Sequence, residues 1–306
     1  MPISSRVLFC LAFFLGIFCP KGLFAKLEDH LKKIIDKGEG HQIRNVDFIY
    51  LINLDKRPEK FASCLAQLRP YGIEPYRFSA VNGRNLSREA LDDCGVRFKV
   101  GMRGDIPGMY CPLDDGSLVH ELANVLGRAY FFDTMSLGTI GCSLSHLSIL
   151  RDAYDAGYST IWIMEDDINV IKNPHLVSAC IDRLDQLVGH DGWDLLFTDQ
   201  DMISDETGTY NSCFVCFIRP DFILKNPGRF FQRVVINDEF RRIGARYGTH
   251  SYLIRRSGMK KILDFVKRYN LFYPIDAEIF FPSDIKAYTV MDDIVSNQRW
   301  APSDNR

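Results

Sequence analysis

Apolar and polar positions alternate in blocks along the chain, and the blocks predict strands and helices in turn. Residues 46–53 (VDFIYLIN) form a continuous apolar run, which is typical of a strand covered on both faces. Residues 58–68 indicate a helix with Pro58 near its first turn. Further strands are predicted at 75–81, 160–164, 194–198 and 213–218, and further helices at 144–154, 176–188 and 257–269. This alternation predicts an α/β fold with a mainly parallel central sheet.

Three segments depart from this alternation. Residues 26–37 carry a short amphipathic pattern that Gly38 and Gly40 interrupt, so 26–45 is predicted to be a peripheral helix and linker. Residues 96–137 contain several glycines and are predicted to be an irregular insertion or a lid over a site. The main domain is therefore expected at 46–298, with a tail at 299–306.

The N-terminus carries a basic residue, Arg6, followed by an apolar run at 7–19. This pattern is typical of a secretory signal peptide at residues 1–25. A short uncleaved anchor and a buried helix are the alternatives, since thirteen residues are fewer than the ~20 that cross a bilayer. The protein is thus expected to be exported, or attached to a membrane through 7–19 and facing the cytoplasm.

Composition and charge exclude several classes of protein. The chain has 306 residues, of which 46% are hydrophobic and 25% charged, an ordinary globular composition. Its 37 Lys and Arg residues stand against 39 Asp and Glu residues, for a net charge of -2. Without a basic excess, no nucleic-acid partner is expected.

The sharpest local feature is Glu165-Asp166-Asp167, directly after the apolar run at 161–164. Open α/β sheets bind ligands at the carboxyl ends of their strands, which is where this triplet would lie. In an extended chain Glu165 and Asp167 point to the same side and can share one hard divalent cation. A solvated acidic turn that caps the following helix is the alternative.

Glycines also precede the predicted helix at 144–154. Gly138 and Gly141 lie in the segment GTIGCSLSH, and the first helical turn carries Ser145 and His146. Free amides at a helix start favour an anion, and glycines let a ligand approach the backbone closely. A structural role for His146 remains equally open.

Six sequence blocks occur in order along the chain. They are IYLINLDKRPEKF (49–61), FSAVNGRNL (78–86), GTIGCSLSHLSIL (138–150), WIMEDDI (162–168), GTHSYLIRRSGMKKIL (248–263) and YPIDAEI (273–279). In these blocks the chain resembles glycosyltransferase family 25, which contains bacterial lipooligosaccharide galactosyltransferases and the collagen hydroxylysine galactosyltransferase domain. The likeness extends roughly over residues 48–298.

The resemblance implies a GT-A type fold, meaning a single Rossmann-like nucleotide-diphosphosugar transferase domain at 46–298. It also implies a UDP-sugar donor and a divalent metal, Mn²⁺ or Mg²⁺. The acidic motif of that fold corresponds to the triplet, with Asp167 as the main metal ligand, Glu165 orienting the ribose or a metal-bound water, and Asp166 beside the donor. The remaining donor contacts would come from Asn53, Leu54, Asp55, Arg57, Asn82, Gly138, Gly141, Ser145 and His146.

Inversion at the sugar carbon, expected for this family, requires a carboxylate that takes the proton of the acceptor hydroxyl. Asp276 in YPIDAEI is the favoured candidate, and Asp199 and Asp201 are the others. The alternative roles are a helix cap or loop-fixing carboxylate for Asp276, and solvated loop charges for Asp199 and Asp201.

The resulting prediction is transfer of a hexose, with galactose favoured, to a hydroxyl of a saccharide, lipooligosaccharide or glycoprotein. A nucleotidyltransferase is an alternative, but the segment Asp55–Pro58 lacks the glycines expected of a triphosphate loop. A secreted, catalytically degraded member that binds glycans is the other alternative. Sugar-nucleotide binding separates that alternative from the enzyme.

Overall fold

The structure is a computed structural model that describes residues 26–111, 117–203, 208, 210, 218–298 and 304. No helix within these residues is long and apolar enough to cross a bilayer. The apolar run at 7–19 and most of the predicted strand at 213–218 lie outside the described residues.

Fourteen strands and six α-helices are found in the described part of the chain. The strands are β1 (Phe48–Asn53), β2 (Tyr76–Ser79), β3 (Val96–Arg97), β4 (Pro107–Tyr110), β5 (Val119–Leu122), β6 (Ala129–Phe132), β7 (Thr160–Glu165), β8 (Ile168–Val170), β9 (Leu195–Phe197), β10 (Arg233–Val235), β11 (Phe240–Ile243), β12 (Ser251–Arg255), β13 (Ala287–Val290) and β14 (Val295–Asn297). The helices are α1 (Pro58–Leu68), α2 (Arg88–Cys94), α3 (Leu137–Asp155), α4 (Leu176–Val188), α5 (Arg256–Tyr269) and α6 (Ile275–Glu278).

Eight strands form the central sheet, in the order β10-β11-β13-β9-β12-β7-β1-β2. Strands β2, β1 and β7 pair in parallel, as do β9 and β13. Strand β12 runs antiparallel to both of its neighbours, and β11 does so too. Six of the eight strands therefore point the same way, which makes the sheet mixed but mostly parallel.

Two apolar cores cover the opposite faces of this sheet. Alternate residues of a strand point to opposite faces, and Tyr50 belongs to one core while Leu51 belongs to the other. Helices α3 and α5 pack on the first face, and α1 and α4 on the second. Coverage on both faces explains why β1 is buried along its whole length.

The apolar pattern predicted most of these elements correctly. Helices α1 and α4 have the predicted bounds, and α5 begins one residue earlier than predicted. Strands β1, β2, β7 and β9 lie within or next to their predicted runs. These are the elements whose apolar faces meet the two cores.

The start of α3 was predicted wrongly. The helix begins at Leu137 instead of residue 144, because the Ser136 hydroxyl accepts a hydrogen bond from the Thr139 amide and caps it. Gly138 and Gly141 are therefore helical residues. A Cβ on Gly141 would lie 2.5 Å from the Gly83 nitrogen, so this glycine allows the helix to touch another backbone segment.

The predictions for residues 26–45 and 96–137 also need correction. Helix in 26–45 is limited to the 3-10 turn Leu27–His30, where Leu27 is buried against the core. A short isolated amphipathic helix is only marginally stable, and Lys32 and Lys37 instead bond to Ser79 and Asp152 of the main body. Residues 96–137 are more regular than predicted, since β3, β4, β5 and β6 form an antiparallel sheet.

We predict that Gly141→Ala destabilises the protein by about 1–3 kcal/mol, the usual range for overpacking. The new Cβ would meet the Val81 oxygen and the Gly83 nitrogen, and backbone atoms cannot move aside as a flexible side chain can. Urea unfolding measures the loss. Gly228→Ala is the matched control, since its nearest neighbour is the Asn226 side chain at 3.5 Å. Equal stability of the two variants would contradict the close approach.

Candidate functional site

The candidate site lies where three adjacent parallel strands end. In the register of the sheet, Asn53 at the end of β1 pairs with Ser79 of β2, and Ile52 pairs with Glu165 at the end of β7. A cleft opens at this edge. Its lining includes the acidic triplet, Asn53, Leu54, Lys56, Lys60, residues 80–84, Gly138, Cys142, Ser145 and Asp304. This is the edge at which open α/β sheets bind ligands.

Strand β12 adds residues to this edge because it runs against its neighbours. Its first residue, Ser251, pairs with Met164, so the residues that precede β12 lie beside the end of β7. The Glu165 amide donates to the His250 carbonyl at 2.8 Å. Thr249 and His250, which the sequence analysis did not assign to the site, are thereby brought to the acidic triplet.

Glu165 is held from two sides. The Thr249 hydroxyl donates to its Oε1 at 2.7 Å, and His146 Nε2 lies 3.2 Å from the same oxygen. His146 is fully buried, and its other ring nitrogen lies 2.9 Å from the Tyr252 hydroxyl. Burial opposes ionisation of Glu165, but His146, His250 and Thr249 outweigh it and lower its pKa to about 2. His146 thus orients a carboxylate and does not itself line the cleft.

Asp166 lies in the turn that follows β7 and contacts other side chains than Glu165 does, although the chain is not extended here as the prediction assumed. Its Oδ2 accepts a hydrogen bond from Asn53 Nδ2 at 2.7 Å, and Lys60 Nζ lies 3.7 Å from its Oδ1. Burial raises the pKa of Asp166, which the hydrogen bond from Asn53 partly offsets. Asn53 also donates to the Arg57 carbonyl and accepts from Arg77, so its amide fixes the loop after β1.

Asp167 and His250 form the open part of the site. His250 Nδ1 lies 3.6 Å from Asp167 Oδ1, and within the described residues both atoms are buried without a hydrogen-bond partner. Burial alone would lower the pKa of His250, but the carboxylates of Asp167 and Glu165 raise it to about 9. Unpartnered buried polar atoms are costly unless a ligand completes them.

Three side chains could hold a cation here. Glu165, Asp167 and His250 each offer one ligand atom, and these atoms all lie within 4.8 Å of one another. Carboxylate oxygens and a neutral imidazole nitrogen suit Mn²⁺, so the residues present fit a divalent metal that displaces the proton held on His250. A second group, Cys142 with His146 and Glu165, meets the same distance criterion. Burial raises the pKa of the Cys142 thiol well above its usual value, which disfavours the thiolate that binds metals.

Asp276 lies next to this group, at the start of the short helix α6. Its Oδ2 accepts a hydrogen bond from the Gly248 amide at 3.0 Å. Burial raises the pKa of Asp276, and the charge of Glu165 adds to the increase, although the Gly248 hydrogen bond opposes it. A carboxylate with a raised pKa is a better proton acceptor than an ordinary one.

Asp199 and Asp201 are not the solvated loop charges that were considered for them. Both are buried. The two Asp199 oxygens accept hydrogen bonds from Arg246 at 3.0 and 2.8 Å, and Asp201 Oδ2 accepts one from Arg233. The guanidinium fork of Arg246 neutralises Asp199 and engages both of its oxygens, whereas Arg233 engages one oxygen of Asp201. Neither pairing was visible in the sequence, because the partners are more than thirty residues away.

The predicted donor contacts divide into two groups. Leu54, Asn82, Gly138 and Ser145 line the cleft, together with Asn53 and the triplet. Asp55 is instead exposed and paired with Arg77 and Ser79, and Gly141 lies against the backbone of 81–83. Arg57 pairs with Glu59 and Asp304. The helix start expected just before residue 144 lies at Leu137, and Gly138 in its first turn lines the cleft.

Fold and site together define an open α/β sheet protein with an acidic cleft at its carboxyl edge. Residues 46–279 match the family described as "Glycosyltransferase family 25 (LPS biosynthesis protein)". The chain therefore belongs to glycosyltransferase family 25, as its six sequence blocks indicated.

Curated relatives are longer than this chain. A "Glycosyltransferase 25 family member" of Aedes aegypti is 26% identical over 238 residues, which is 78% of this chain but 31% of that protein. A protein of the same description from Drosophila melanogaster is 28% identical over 186 residues, 61% of this chain and 26% of its own length. "Inactive glycosyltransferase 25 family member 3" of Mus musculus is 26% identical over 162 residues, 52% of this chain and 23% of its own length. The chain thus spans about a third or less of these relatives.

We predict that Arg246→Met lowers the free energy of unfolding by about 3–5 kcal/mol, because it leaves the buried Asp199 charge without its partner. Adding Asp199→Asn should recover most of this loss, since the double variant buries no unpaired charge. Urea unfolding of both variants measures the difference. A double variant no more stable than Arg246→Met would show that the pair is not the source of the loss.

Proposed function

We propose that this protein is a metal-assisted glycosyltransferase of GT-A type that moves a hexose, with galactose favoured, from a UDP-sugar to an acceptor hydroxyl. The observation that carries the proposal is the group formed by Glu165, Asp167 and His250 beside a polar cleft. Membership of the family supplies the reaction class. The cluster supplies a place where the charge of a leaving nucleotide can be balanced.

Asp167 and His250 would hold the cation, because their facing atoms have no hydrogen-bond partner among the described residues. Glu165 would complete the set from an oxygen that Thr249 and His146 already orient. When bound, a divalent cation neutralises the charge that develops on the departing diphosphate. Mn²⁺ is favoured and Mg²⁺ is the alternative.

The donor would lie in the cleft between the loop after β1 and the start of α3. Leu54 and Asn82 stand where the nucleoside would be, and Gly138 lets it approach the first turn of α3. Lys56, Lys60 and Arg84 line the same cleft and bring positive charge to the donor's phosphates. Asp166 accepts a hydrogen bond from Asn53 and forms an ion pair with Lys60, and these contacts hold both side chains in place.

Asp276 is the proposed base for the inverting step. Its carboxyl is held by the Gly248 amide, and its raised pKa favours acceptance of the acceptor's proton as the new bond forms. Asp199 is less suited, since Arg246 occupies both of its oxygens. Asp201 is also engaged by an arginine, Arg233.

The acceptor is proposed to be a hydroxyl of a saccharide, lipooligosaccharide or glycoprotein. The family description names LPS biosynthesis, which is compatible with the first two. Export or membrane attachment through residues 7–19 remains part of the proposal.

A second candidate function is favoured by one specific finding. The mouse relative and its human counterpart are named inactive, so the family includes members without transfer activity. A degraded member would bind glycans without binding a sugar nucleotide. In this chain Glu165, Asp167 and His250 lie close enough together to hold a cation, which favours the enzyme.

We predict that the purified chain releases UDP from one UDP-hexose in the presence of Mn²⁺, and that a chelator abolishes the release. Asp167→Asn should weaken Mn²⁺ binding by more than about 100-fold, because losing a direct ligand exceeds the loss of about 10- to 100-fold that follows removal of an orienting partner. UDP-galactose, UDP-glucose and UDP-N-acetylglucosamine are compared, and calorimetry gives the metal affinity.

Asp292→Asn is the matched control for that variant. It removes the same charge from a side chain that is 83% exposed, so UDP release should be unchanged. No UDP binding in Mn²⁺, with glycan binding retained, would reject the enzyme in favour of the binding protein.

We predict that Asp276→Asn lowers kcat by roughly 100- to 10,000-fold, the usual contribution of a general base. The amide keeps an oxygen for the Gly248 amide, so the fold and the affinity for UDP should change little. Steady-state transfer rates and UDP titration separate the two effects. Wild-type kcat in this variant would exclude Asp276 as the base.

A further inference from the structure

Asp304, in the C-terminal tail, lies inside the cleft between two cations of the first βα segment. Arg57 Nη1 donates to both of its carboxylate oxygens, at 2.5 and 2.7 Å. Lys60 Nζ donates to Oδ2 at 2.7 Å. More than 240 residues separate Asp304 from these partners along the chain, so the contact is a long-range one.

These contacts are well screened from solvent. The side chains of Arg57, Lys60 and Asp304 are only 25%, 13% and 18% exposed. Burial would raise the pKa of the Asp304 carboxyl, yet the hydrogen bonds from Lys60 and Arg57 lower it below its usual value. The carboxylate is therefore ionised and held by opposite charge on two sides.

The contact between Asp304, Arg57 and Lys60 lies at the candidate site. Lys60 also lies 3.7 Å from Asp166 in the acidic triplet, so Asp304 sits at the carboxyl edge of the sheet, where a ligand would bind. Arg57 Nε is bonded to Glu59, and its Nη1 is the nitrogen turned towards Asp304. A guanidinium beside an ammonium group attracts the oxygens of a phosphate as well as those of a carboxylate. The chain's own carboxylate thus occupies a position suited to an anionic ligand.

We propose that Arg57 and Lys60 form an anion subsite for the diphosphate of the donor, and that Asp304 competes for this subsite from within the chain. The inference rests on the proposed function for the identity of the ligand. A diphosphate carries more charge than one carboxylate and would displace the tail. The tail in turn would reduce the fraction of molecules open to the donor.

The size of the effect follows from that fraction. The apparent dissociation constant equals the intrinsic constant divided by the open fraction, so a tail that fills the subsite nine-tenths of the time raises it about tenfold. Asp304→Ala should therefore bind UDP and inorganic pyrophosphate, each with Mn²⁺, up to about tenfold more tightly than the wild type. Isothermal titration of the full chain measures both constants.

Asp292→Ala is the control, since it removes the same charge from an exposed side chain that pairs with Lys172 at 3.4 Å. Its affinities should equal those of the wild type. A similar gain in both variants would reduce the effect of Asp304 to net charge and overturn the proposal. Unchanged or weaker binding of both anions by Asp304→Ala would also overturn it, because the carboxylate would then merely brace the two cations.

The two anions keep this proposal separate from the proposed function. Tighter pyrophosphate binding by Asp304→Ala, with no UDP binding by either protein, would support the competing tail and reject the UDP-sugar donor. Tight UDP binding that Asp304→Ala leaves unchanged would support the donor and reject the tail. Binding of neither anion by either protein would deny that Arg57 and Lys60 form an anion subsite.

Discussion

Repulsion among three consecutive carboxylates is the constraint on which the rest of the site depends. Glu165, Asp166 and Asp167 follow a buried strand, so each charge needs its own compensation within a few ångströms. The fold gives them different surroundings. Glu165 meets His146 and Thr249, Asp166 meets Asn53 and Lys60, and Asp167 faces His250. Two of these arrangements are closed by hydrogen bonds, and the third leaves polar atoms available for a ligand.

The reversed strand β12 makes this division possible. In a fully parallel sheet the neighbour of β7 would also end at this edge, and its own following loop would lie there. Because β12 begins at the edge, Thr249 and His250 enter the site from a segment more than eighty residues after Glu165. The same reversal places Tyr252, one residue into the strand, beneath His146, where their rings stack at 5.8 Å. One change of strand direction thus supplies a candidate ligand, a hydrogen-bond donor and the support for an orienting histidine.

The local pattern of apolar residues predicted the helices and strands that depend on nearby residues. It failed where contacts between distant parts of the chain determine the structure. Helix α1, with its apolar stripe and its N-terminal proline, could be bounded from sequence. The start of α3 could not, because Gly141 inside the helix is explained only by the backbone at Val81 and Gly83 that packs on it. The triplet and Asp276 could be identified from the sequence as candidate functional residues. His250 could not, since nothing in the apolar pattern shows that β12 runs antiparallel.

The cleft has an acidic side and a basic side. This arrangement favours a ligand that carries both positive and negative charge. The acidic side, around Asp167 and His250, has buried polar atoms that find no hydrogen-bond partner in the described part of the chain. On the basic side, Arg57 and Lys60 both pair with Asp304, and Arg57 pairs with Glu59 as well. A cation alone would complete the first side and leave the second as it is. An anion alone would have to displace Asp304 while facing three carboxylates, which oppose it. A cation with a diphosphate satisfies both sides together, because the metal screens the carboxylates from the phosphates and the phosphates replace the tail.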